Sequence, residues 1–429
     1  MPPSEPHARP GLVAESAEAV ARVPEAAIQD AWVRGLFDPR GLATTAGEPV
    51  RVVARGRLNR DSGPDVSDAR VEVAGMLWAG DVEVHPTSAG WEAHGHHQDP
   101  AYDRVVLHVV LAADRRTGTL RRSDGSALPE LVLLPHLDRS LRRLLHAFYV
   151  TPRQAPHCAG RWAEVDEAAR RGWVRHLGTE RVRDRARRLG QAYGRRPDLD
   201  RLLVGRMFRA LGYEANADAM ETLAGRLDLA ALRRLDGPAV HRAVWAASGL
   251  GSDTLFSGPA PPSAVAPLRP EAWRRGGRPA NAPRRRVAQA AAWLAPGGPL
   301  RSDPVARLAE AAGLGRDAAV DVLRPEPPDG SARLGRPRAL RVLADAVVPV
   351  LLLDAEQRED PALDAAALDL FGALPAATDR VTRRFADAGL TPQSATETQG
   401  MHHLARHYCD EGRCARCAIG RALYPALDR

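Results

Sequence analysis

The period of the hydrophobic pattern changes once along the chain, and this change limits the possible folds more than any other feature of the sequence. In the first part, short β-branched segments bounded by turn residues predict four strands: Val50 to Leu58, Ala69 to Val73, Met76 to His85 and Val105 to Ala112. From about Leu137 onward, apolar residues recur at three- and four-residue spacing, which predicts helices almost throughout. The clearest of these are Leu141 to Tyr149, Glu164 to Leu177, Leu202 to Leu211, Ala217 to Leu229 and Ala339 to Leu353. The pattern predicts an α/β N-terminal domain followed by a mostly α-helical region.

Two further helices are predicted beside the strands. Pro24 to Phe37 has Pro24 near its first turn and an apolar face formed by Ala27, Ile28, Ala31, Trp32 and Leu36. Ser88 to Tyr102 is predicted as a second helix, with Ser88 as its cap. The predicted order is helix, three strands, helix, strand.

The chain has 429 residues, which is enough for two or three domains. Residues 1–20 are interpreted as a flexible tail and residues 21–150 as the α/β domain. Two helical regions, 151–257 and 285–429, follow, and the second ends in a cysteine cluster. Between them, residues 258–284 are rich in proline, glycine and arginine and are interpreted as a linker or extended arm.

The composition of the chain limits the class of protein to which it can belong. The chain contains no lysine, so arginine supplies all 60 of its basic side chains, and this is typical of a GC-rich coding sequence. The net charge of +7 is therefore weak support for an acidic partner. No apolar run reaches the roughly 18 residues of a membrane span, and the first 15 residues lack the apolar stretch of a secretory signal. We expect a cytoplasmic protein whose four cysteines are thiols or metal ligands.

The most informative polar residues lie between the first and third predicted strands. Pro64 stands at a strand entrance and fixes the chain just before Asp65. Glu83 and His85 are two residues apart on one strand, so their side chains leave the same face with the carbonyl of Val84 between them. If the strands pair as a hairpin, Asp65 and Glu83 lie side by side and offer oxygen ligands to Mg²⁺ or Mn²⁺. An ordinary amphipathic strand after a turn would give the same pattern.

At this point the sequence resembles the PD-(D/E)XK nuclease superfamily, whose core order is helix, three strands, helix, strand. Pro64-Asp65 occupies the place of its Pro-Asp pair, and Glu83-Val84-His85 occupies the place of its Glu-x-Lys triplet. The resemblance implies a mixed sheet flanked by helices and a metal-dependent nuclease activity. It also implies that Asp65 and Glu83 are metal ligands.

Two other positions matter for this resemblance. His85 stands where the superfamily has lysine, and a histidine can position or deprotonate water near neutral pH or coordinate a softer ion such as Mn²⁺ or Zn²⁺. On the preceding helix, Glu25 or Gln29 matches the acidic or amide residue that the superfamily often has there. The candidate catalytic residues are thus Asp65, Glu83, His85, Glu25 and Gln29.

Five of the 14 histidines fall in one short stretch, at positions 85, 94, 96, 97 and 108. In a helix, His94 and His97 share a face whereas His96 points elsewhere, so His94 and His97 are the candidates for a metal or substrate-phosphate contact. His108 lies on an otherwise apolar strand, and we expect a hydrogen-bonded core residue.

The segments GRLNRDSGPDVSDA and GDVEVHPTSAGWEAHGHHQDPAYDRVVLHVVL are also similar to an uncharacterised bacterial family, domain of unknown function family twenty-eight fifty-one. The similarity continues through Arg278 to Gln289 and on to the C-terminal cysteines, so it covers most of the chain. The family name implies no activity.

Three cysteines near the C-terminus have the spacing of metal ligands, Cys409-x4-Cys414-x2-Cys417. They predict a Zn²⁺ site or an iron–sulfur cluster that needs one more ligand. Cys158 is the only other cysteine of the chain, and His402, His403 and His407 are local alternatives. A redox thiol, or buried cysteines without a ligand, would also fit the pattern.

The helical regions contain dense guanidinium charge, which suits phosphate contacts, and Arg181 and Arg278 are candidate substrate-binding residues. Solvated helix faces paired with acidic residues are the plainer explanation. Taken together, the sequence predicts metal-dependent hydrolysis of phosphodiesters in DNA or RNA. The alternatives are a non-catalytic nucleic-acid-binding or scaffold protein with the nuclease fold, and another metal-dependent hydrolase.

Overall fold

A computed structural model describes residues 20–59, 62–115, 118–150, 156–194, 197–251, 266–274, 282–327, 330 and 333–424. They form two compact units, of which unit 1 takes residues 1–173, 380–391 and 402–429 and unit 2 takes residues 174–379 and 392–401. The predicted flexible tail lies outside the described residues except for Val20. Within the described ranges, every helix is too short or too polar to span a bilayer.

Unit 1 contains a mixed β-sheet with flanking helices. Its strands are β1 (Val50–Ala54), β2 (Arg57–Leu58), β3 (Val66–Val73), β4 (Met76–Thr87), β5 (Val105–Ala112) and β6 (Glu130–Val132). Their spatial order is β1, β3, β4, β5, β6, with β2 beside β3. β3 is antiparallel to β1, β2 and β4, whereas β4, β5 and β6 run parallel to one another. β5 is buried along nearly its whole length, as is typical of parallel strands covered on both faces.

The pairing of β3 with β4 is irregular near the start of β3. Val66 faces Val82 and Ala69 faces Gly80, so β3 has one residue more than β4 between these pairs. Asp68, within this β-bulge, has a positive φ of 60°. Because a bulge bends and twists its strand, it often lies beside a functional site. Here it lies three residues after Asp65.

The α-helices among the described residues are α1 (Glu25–Arg34), α2 (Ala89–Ala93), α3 (Arg139–Val150), α4 (Glu167–Tyr193), α5 (Leu199–Leu211), α6 (Tyr213–Arg226), α7 (Leu229–Leu232), α8 (Gly237–Ser248), α9 (Pro283–Leu294), α10 (Pro304–Gly313), α11 (Arg316–Val322), α12 (Arg336–Val342), α13 (Val348–Arg358), α14 (Pro361–Ala373), α15 (Arg380–Ala386), α16 (Ala395–Leu404) and α17 (Ala418–Leu423). Two π-helical segments, Leu343–Val347 and Ala405–Cys409, continue α12 and α16. The predicted mostly helical region after the sheet is therefore confirmed.

Helix α1 confirms the first predicted helix. Pro24 precedes its first residue, and Gly35 ends it in the left-handed conformation, with its N–H bonded to the carbonyls of Ala31 and Trp32. All five residues of the predicted apolar face are buried. This face packs α1 onto the sheet, where it contacts β4.

The structure differs from the predicted elements at three places. The first predicted strand is split into β1 and β2 at Gly56, which has a positive φ of 85°. Strand β6 was not predicted, because three residues carry no visible alternation. The predicted helix from Ser88 to Tyr102 is wrong beyond Ala93, since Gly95 takes a left-handed conformation and two short 3-10 helices, His96–Gln98 and Pro100–Tyr102, follow. Ser88 does not cap α2, and its hydroxyl instead accepts a hydrogen bond from the N–H of Asp114.

The described part of unit 2 is helical and has a hydrophobic core that contains residues from Val182 to Leu374. The predicted division at residues 258–284 separates two helical blocks that share this core in the structure. Residues 258–265 and 275–281 lie outside the described part, but Leu268 and Trp273 between them are buried in the core. The indole N–H of Trp273 also donates a hydrogen bond of 2.8 Å to the carbonyl of Ser248. Proline- and glycine-rich composition does not reveal such anchoring residues.

Candidate functional site

Two acidic residues meet where the pairing of β3 with β4 ends. The backbone N–H of Asp65 donates a hydrogen bond of 2.9 Å to Glu83 Oε2. The backbone N–H of Val84 donates one of 3.2 Å to Asp65 Oδ2. The predicted proximity of Asp65 and Glu83 is therefore confirmed. The Val84 carbonyl lies on the same edge of β4, since the N–H and C=O of one strand residue point to the same side.

Helix α1 brings two polar residues to these acids. The side chain of Gln29 lies close enough to Asp65 to oppose the rise in the pKa of its carboxyl. Glu25 Oε1 lies 4.0 Å from His85 Nε2. Because Glu25 and Gln29 are four residues apart, they share one face of the helix. Both residues that the superfamily resemblance singled out on this helix thus reach the site.

Three carboxylates concentrate negative charge at the site. Burial, and then the charge of Glu83, raises the pKa of Asp65 to about 7. Burial also raises the pKa of Glu25, and nearby His94 partly opposes this shift. In the described part of the chain, none of the three carboxylates forms an ion pair with an arginine. A cation bound among them would offset this charge.

His85 is buried at the centre of the site, and both of its ring nitrogens face other histidines. Nδ1 lies 2.9 Å from His108 Nε2, and Nε2 lies 3.1 Å from His94 Nδ1. His108 Nδ1 in turn lies 3.1 Å from Glu130 Oε2. Burial, and then the neighbouring histidines, lower the pKa of His85 to about 2, so its ring is neutral at physiological pH. The row of Glu130, His108 and His85 fixes the orientation of the His85 ring, and His108 is a hydrogen-bonded core histidine, as predicted.

The ring of His85 fits beneath α2 because residue 90 is glycine. A Cβ atom at Gly90 would lie 2.5 Å from His85 Cγ, closer than atoms can approach without a shift. His85 itself is almost completely buried, so it has little room to move away. Gly90 therefore permits the observed position of the imidazole.

His96 forms a group of three imidazoles with His85 and His94, in which one ring nitrogen of each lies within 4.8 Å of the others. His96 Nε2 lies 3.1 Å from Glu83 Oε1 without forming a hydrogen bond to it. The His96 ring also stacks on Tyr102 at a centroid distance of 3.8 Å. A buried imidazole nitrogen next to a carboxylate oxygen, with no hydrogen bond between them, would suit two ligands of one ion.

His97 is not a member of this group, although the sequence favoured it over His96. Its Nε2 atom lies 2.9 Å from the side-chain nitrogen of Gln98. The reason is the early end of α2 at Ala93, after which Gly95 redirects the chain so that His96 faces the acids. Gly95, which lies between His94 and His96, was the sequence signal for this break.

The donor atoms around His85 suit a first-row divalent ion. Neighbouring ligand atoms of an ion with bonds of about 2.1 Å are about 3.0 Å apart in octahedral and about 3.4 Å apart in tetrahedral geometry. The observed separations are 3.1 Å between His85 Nε2 and His94 Nδ1, and 3.1 Å between His96 Nε2 and Glu83 Oε1. The separation of 3.8 Å between His85 Nε2 and Glu83 Oε1 is only slightly wider. The ring nitrogens of the three imidazoles spread to 4.8 Å, slightly more than the roughly 4.2 Å that two ligands of one such ion can span. A shift of about 1 Å would bring them around one ion, with Glu83 Oε1 beside His85 and His96.

The arginines predicted to bind substrate are not part of this site as far as it is described. Arg181 belongs to unit 2, where its Nε atom donates a hydrogen bond of 2.9 Å to Gln399 Oε1. Arg278 lies outside the described residues. Their roles remain predictions.

The four cysteines of the chain come together elsewhere in unit 1. None of them forms a disulfide. Each of the six possible pairs is close enough for the charge of one thiol to raise the pKa of another, beyond the larger effect of burial. Cys158 therefore lies near Cys409, Cys414 and Cys417, whereas the fourth ligand and a bound metal stay predictions.

The fold and the site define a class, an α/β protein with a buried centre of histidines and carboxylates at the end of a mixed sheet. Comparison with family models places the chain more narrowly, since residues 25–247 match the family described as Protein of unknown function (DUF2851). The chain belongs to this family. The matched segment contains every residue of the histidine–carboxylate centre and Cys158, but it ends before Arg278 and the C-terminal cysteines, to which the sequence similarity had been extended. Searches of curated proteins and of solved structures found no match.

Proposed function

We propose that the protein is a metal-dependent phosphodiesterase that acts on nucleic acid. The observation that carries this proposal is the convergence of Glu83, His85 and His96 on one point of the sheet edge, beside Asp65 and Glu25. A bound divalent ion supplies a water of lowered pKa and offsets the charge that develops on a phosphodiester. The choice of a phosphodiester rests on the order of elements and on the places of Asp65 and Glu83, which agree with the superfamily resemblance.

The donor set favours Mn²⁺ or Zn²⁺ over Mg²⁺. Mg²⁺ prefers oxygen ligands and usually keeps several waters, whereas imidazole suits later transition metals. His85 Nε2, His94 Nδ1, His96 Nε2 and Glu83 Oε1 would hold the ion, and the Asp65 carboxylate would add negative charge beside it. His85 fits the role of a ligand better than that of a base, because both of its nitrogens face other imidazoles.

Residues that hydrogen-bond to the proposed ligands hold these ligands in position. A histidine that binds a metal commonly donates its other ring N–H to a carboxylate or to another acceptor, which raises its basicity and fixes its tautomer. His108 and Glu130 supply such a hydrogen-bonded row for His85. The Glu83 carboxylate is similarly held by the Asp65 N–H through Oε2, which leaves Oε1 directed to the imidazoles.

Access to the centre is from the side of Glu25 and His94. The Glu25 side chain is 38% exposed, whereas those of Glu83 and His85 are 6% and 1% exposed. His94 is also exposed. Substrate and water would reach the ion past these two residues, while the buried imidazoles keep the opposite side closed.

A cleavage assay with single- and double-stranded DNA and RNA, in Mg²⁺, Mn²⁺ or Zn²⁺, tests the proposal. Glu83→Gln removes a ligand charge at nearly constant volume and should lower Mn²⁺-dependent cleavage about 100-fold or more, on the scale expected for the loss of a metal ligand. Glu72→Gln, on the neighbouring strand, alters a partly exposed ion pair with Arg51 and is the matched control. Cleavage that is the same in wild type and Glu83→Gln, or is absent with every metal, would reject the nuclease.

A second candidate function is hydrolysis of a smaller substrate by the same centre. Three imidazoles with one carboxylate are a donor set that zinc hydrolases also use. Metal-dependent hydrolysis of a small phosphodiester or ester, lost in Glu83→Gln without any cleavage of nucleic acid, would favour it. Metal binding with no hydrolysis at all would favour the non-catalytic alternative.

A further inference from the structure

The four cysteines occupy the ends of short structural elements in unit 1. Cys158 directly precedes the 3-10 helix Ala159–Glu164, and Cys409 ends the π-helical segment after α16. Cys414 begins the 3-10 helix Cys414–Arg416, and Cys417 precedes α17. Cys414 and Cys417 are buried, and the other two are partly buried. Such a concentration of reduced thiols, distant in sequence and close in space, is typical of a metal centre.

Burial raises the pKa of all four thiols, and several neighbouring groups partly oppose this shift. The indole N–H of Trp162 donates a hydrogen bond of 2.9 Å to Cys158 Sγ. The backbone N–H groups of Ile419 and Gly420 lie close enough to the Cys417 sulfur to oppose the rise of its pKa. Three arginines, Arg161, Arg384 and Arg421, are each placed to favour the anionic form of a different cysteine. N–H donors and positive charge around buried sulfur are the factors that tune iron–sulfur centres.

The spacing of the sulfur atoms distinguishes a site for a single ion from a site for a cluster. In a tetrahedral zinc site with Zn–S bonds of about 2.3 Å, all four sulfurs are about 3.8 Å apart. Among the described residues, the three or more side chains grouped closely enough to hold one ion are His85, His94 and His96, and no three cysteines form such a group, although all six cysteine pairs interact electrostatically. A cluster distributes its thiolates over several irons and therefore holds them farther apart than one ion does.

We propose that Cys158, Cys409, Cys414 and Cys417 bind an iron–sulfur cluster. Assembly consumes iron and inorganic sulfide, and each thiol releases a proton when its sulfur binds iron. The cluster joins the segment around residue 158 to the C-terminal segment. This assignment concerns a site separate from the histidine–carboxylate centre and does not depend on what that centre catalyses.

The cluster region also supports α1. Arg416, between two of the cysteines, contacts Asp30 Oδ1 at 3.1 Å, and Arg34 donates a hydrogen bond of 2.8 Å to the carbonyl of Ala415. Asp30 and Arg34 lie on α1, the helix that carries Glu25 and Gln29 to the site. Loss of the cluster should therefore loosen α1 before it affects the central strands.

The direct test is metal analysis of the full-length protein purified without oxygen. We expect iron and acid-labile sulfide in equal amounts, two or four of each per chain. The protein should also show a visible charge-transfer absorption and a Mössbauer spectrum typical of a cluster. Stoichiometric zinc without iron, or four thiols that react with a thiol reagent in metal-free folded protein, would overturn the proposal. Because this readout uses the wild-type chain, it is decisive even if a cysteine variant does not fold.

A second measurement tests the ligand set and the link to α1. Cys414→Ser should lose at least half of the iron, whereas His403→Ala and His407→Ala, which alter the nearby histidines, should retain it. Hydrogen exchange should become faster in residues 25–34 when the cluster is removed by a chelator under air, and should change little in β5. Full iron content in Cys414→Ser, or loss of iron in either histidine variant, would contradict the four-cysteine assignment. Unchanged exchange in α1 would contradict its support by the cluster. None of these readouts requires nuclease activity, so failure of the cluster and failure of the proposed function are distinguishable.

Discussion

His85 Nδ1 and His108 Nε2 lie 2.9 Å apart across two neighbouring parallel strands. The contact leaves Nε2 of His85 directed toward the carboxylates and His94, and it joins His85 to Glu130 through His108. A ring fixed in this way can bind an ion without a loss of rotamer freedom at the moment of binding. The position that the superfamily resemblance gives to a lysine is thus part of a hydrogen-bonded row of side chains.

The first prediction concerns this row. Glu130→Gln removes the charge behind His108 while keeping the size of the side chain, and it should weaken Mn²⁺ or Zn²⁺ binding about 10- to 100-fold. Isothermal titration calorimetry measures the change. Glu92→Gln, which alters an exposed ion pair with Arg115, should bind the metal as the wild type does. Equal affinities in the Glu130 variant and in the wild type would show that the row does not support the ligand.

The second prediction compares two adjacent histidines. His96→Ala removes an imidazole that lies 3.1 Å from Glu83 Oε1 and should reduce metal affinity at least about 10-fold. His97→Ala, one residue away and outside the imidazole group, should change the affinity less than about twofold. Titration of both proteins with Zn²⁺ gives the comparison, and the reverse order of effects would mean that the ion is not held beside His96.

The third prediction concerns pH. The folded-state pKa of Asp65, about 7, is above its ordinary value of 3.8, so its contribution to stability is present below about pH 4 and is lost as pH rises toward 7. His85 acts in the opposite direction, because its lowered pKa makes stability fall as pH drops below about 6.5. The difference in unfolding free energy between wild type and Asp65→Asn isolates the contribution of Asp65.

In metal-free protein, Asp65→Asn should therefore become progressively more stable than the wild type as pH rises from 4 to 8, as measured by urea unfolding. Saturating Mn²⁺ should stabilise the wild type and reduce this difference, because a bound cation offsets the carboxylate charge. Asp68→Asn, three residues away and exposed, is the matched control variant. If Asp65→Asn instead loses stability relative to the wild type as pH rises, the pKa of Asp65 is not raised by folding and the electrostatic account is rejected.

The fourth prediction concerns Gly90. Gly90→Ala places a methyl group about where His85 Cγ now packs, and it should cost roughly 1 to 3 kcal/mol of unfolding free energy and also weaken metal binding. Gly172→Ala, in α4 with nothing near the added Cβ, should instead leave metal binding unchanged and stabilise the helix slightly. Thermal unfolding and metal titration of the two variants check this. If Gly90→Ala changes neither stability nor metal affinity, His85 can move freely.

Local patterns predicted much of the sheet and its carboxylates. Helix α1 and strands β3, β4 and β5 follow from periodicity within a few residues, and the alternation of β4 places Glu83 and His85 on one face. Asp65 could be placed because Pro64 and the turn before it marked the start of the next strand. These features depend on residues that are near one another in sequence.

The missed features depend on single backbone angles or on distant contacts. The choice of His96 over His97 follows from the left-handed Gly95, which a helical wheel does not take into account. Glu130 joins the site from a three-residue strand, and its only sequence signal is a charge within an apolar stretch. The two-unit division, in which C-terminal residues return to unit 1, could not be predicted from composition.

The central claim is that Glu83, His85, His94 and His96 share one ion. Anomalous X-ray diffraction from crystals soaked in Mn²⁺, recorded on both sides of the manganese absorption edge, tests it most directly. The account predicts one anomalous peak within about 2.0 to 2.4 Å of Glu83 Oε1 and of the three imidazole nitrogens. Manganese bound elsewhere in unit 1, or no peak at this position at a saturating concentration, would contradict it.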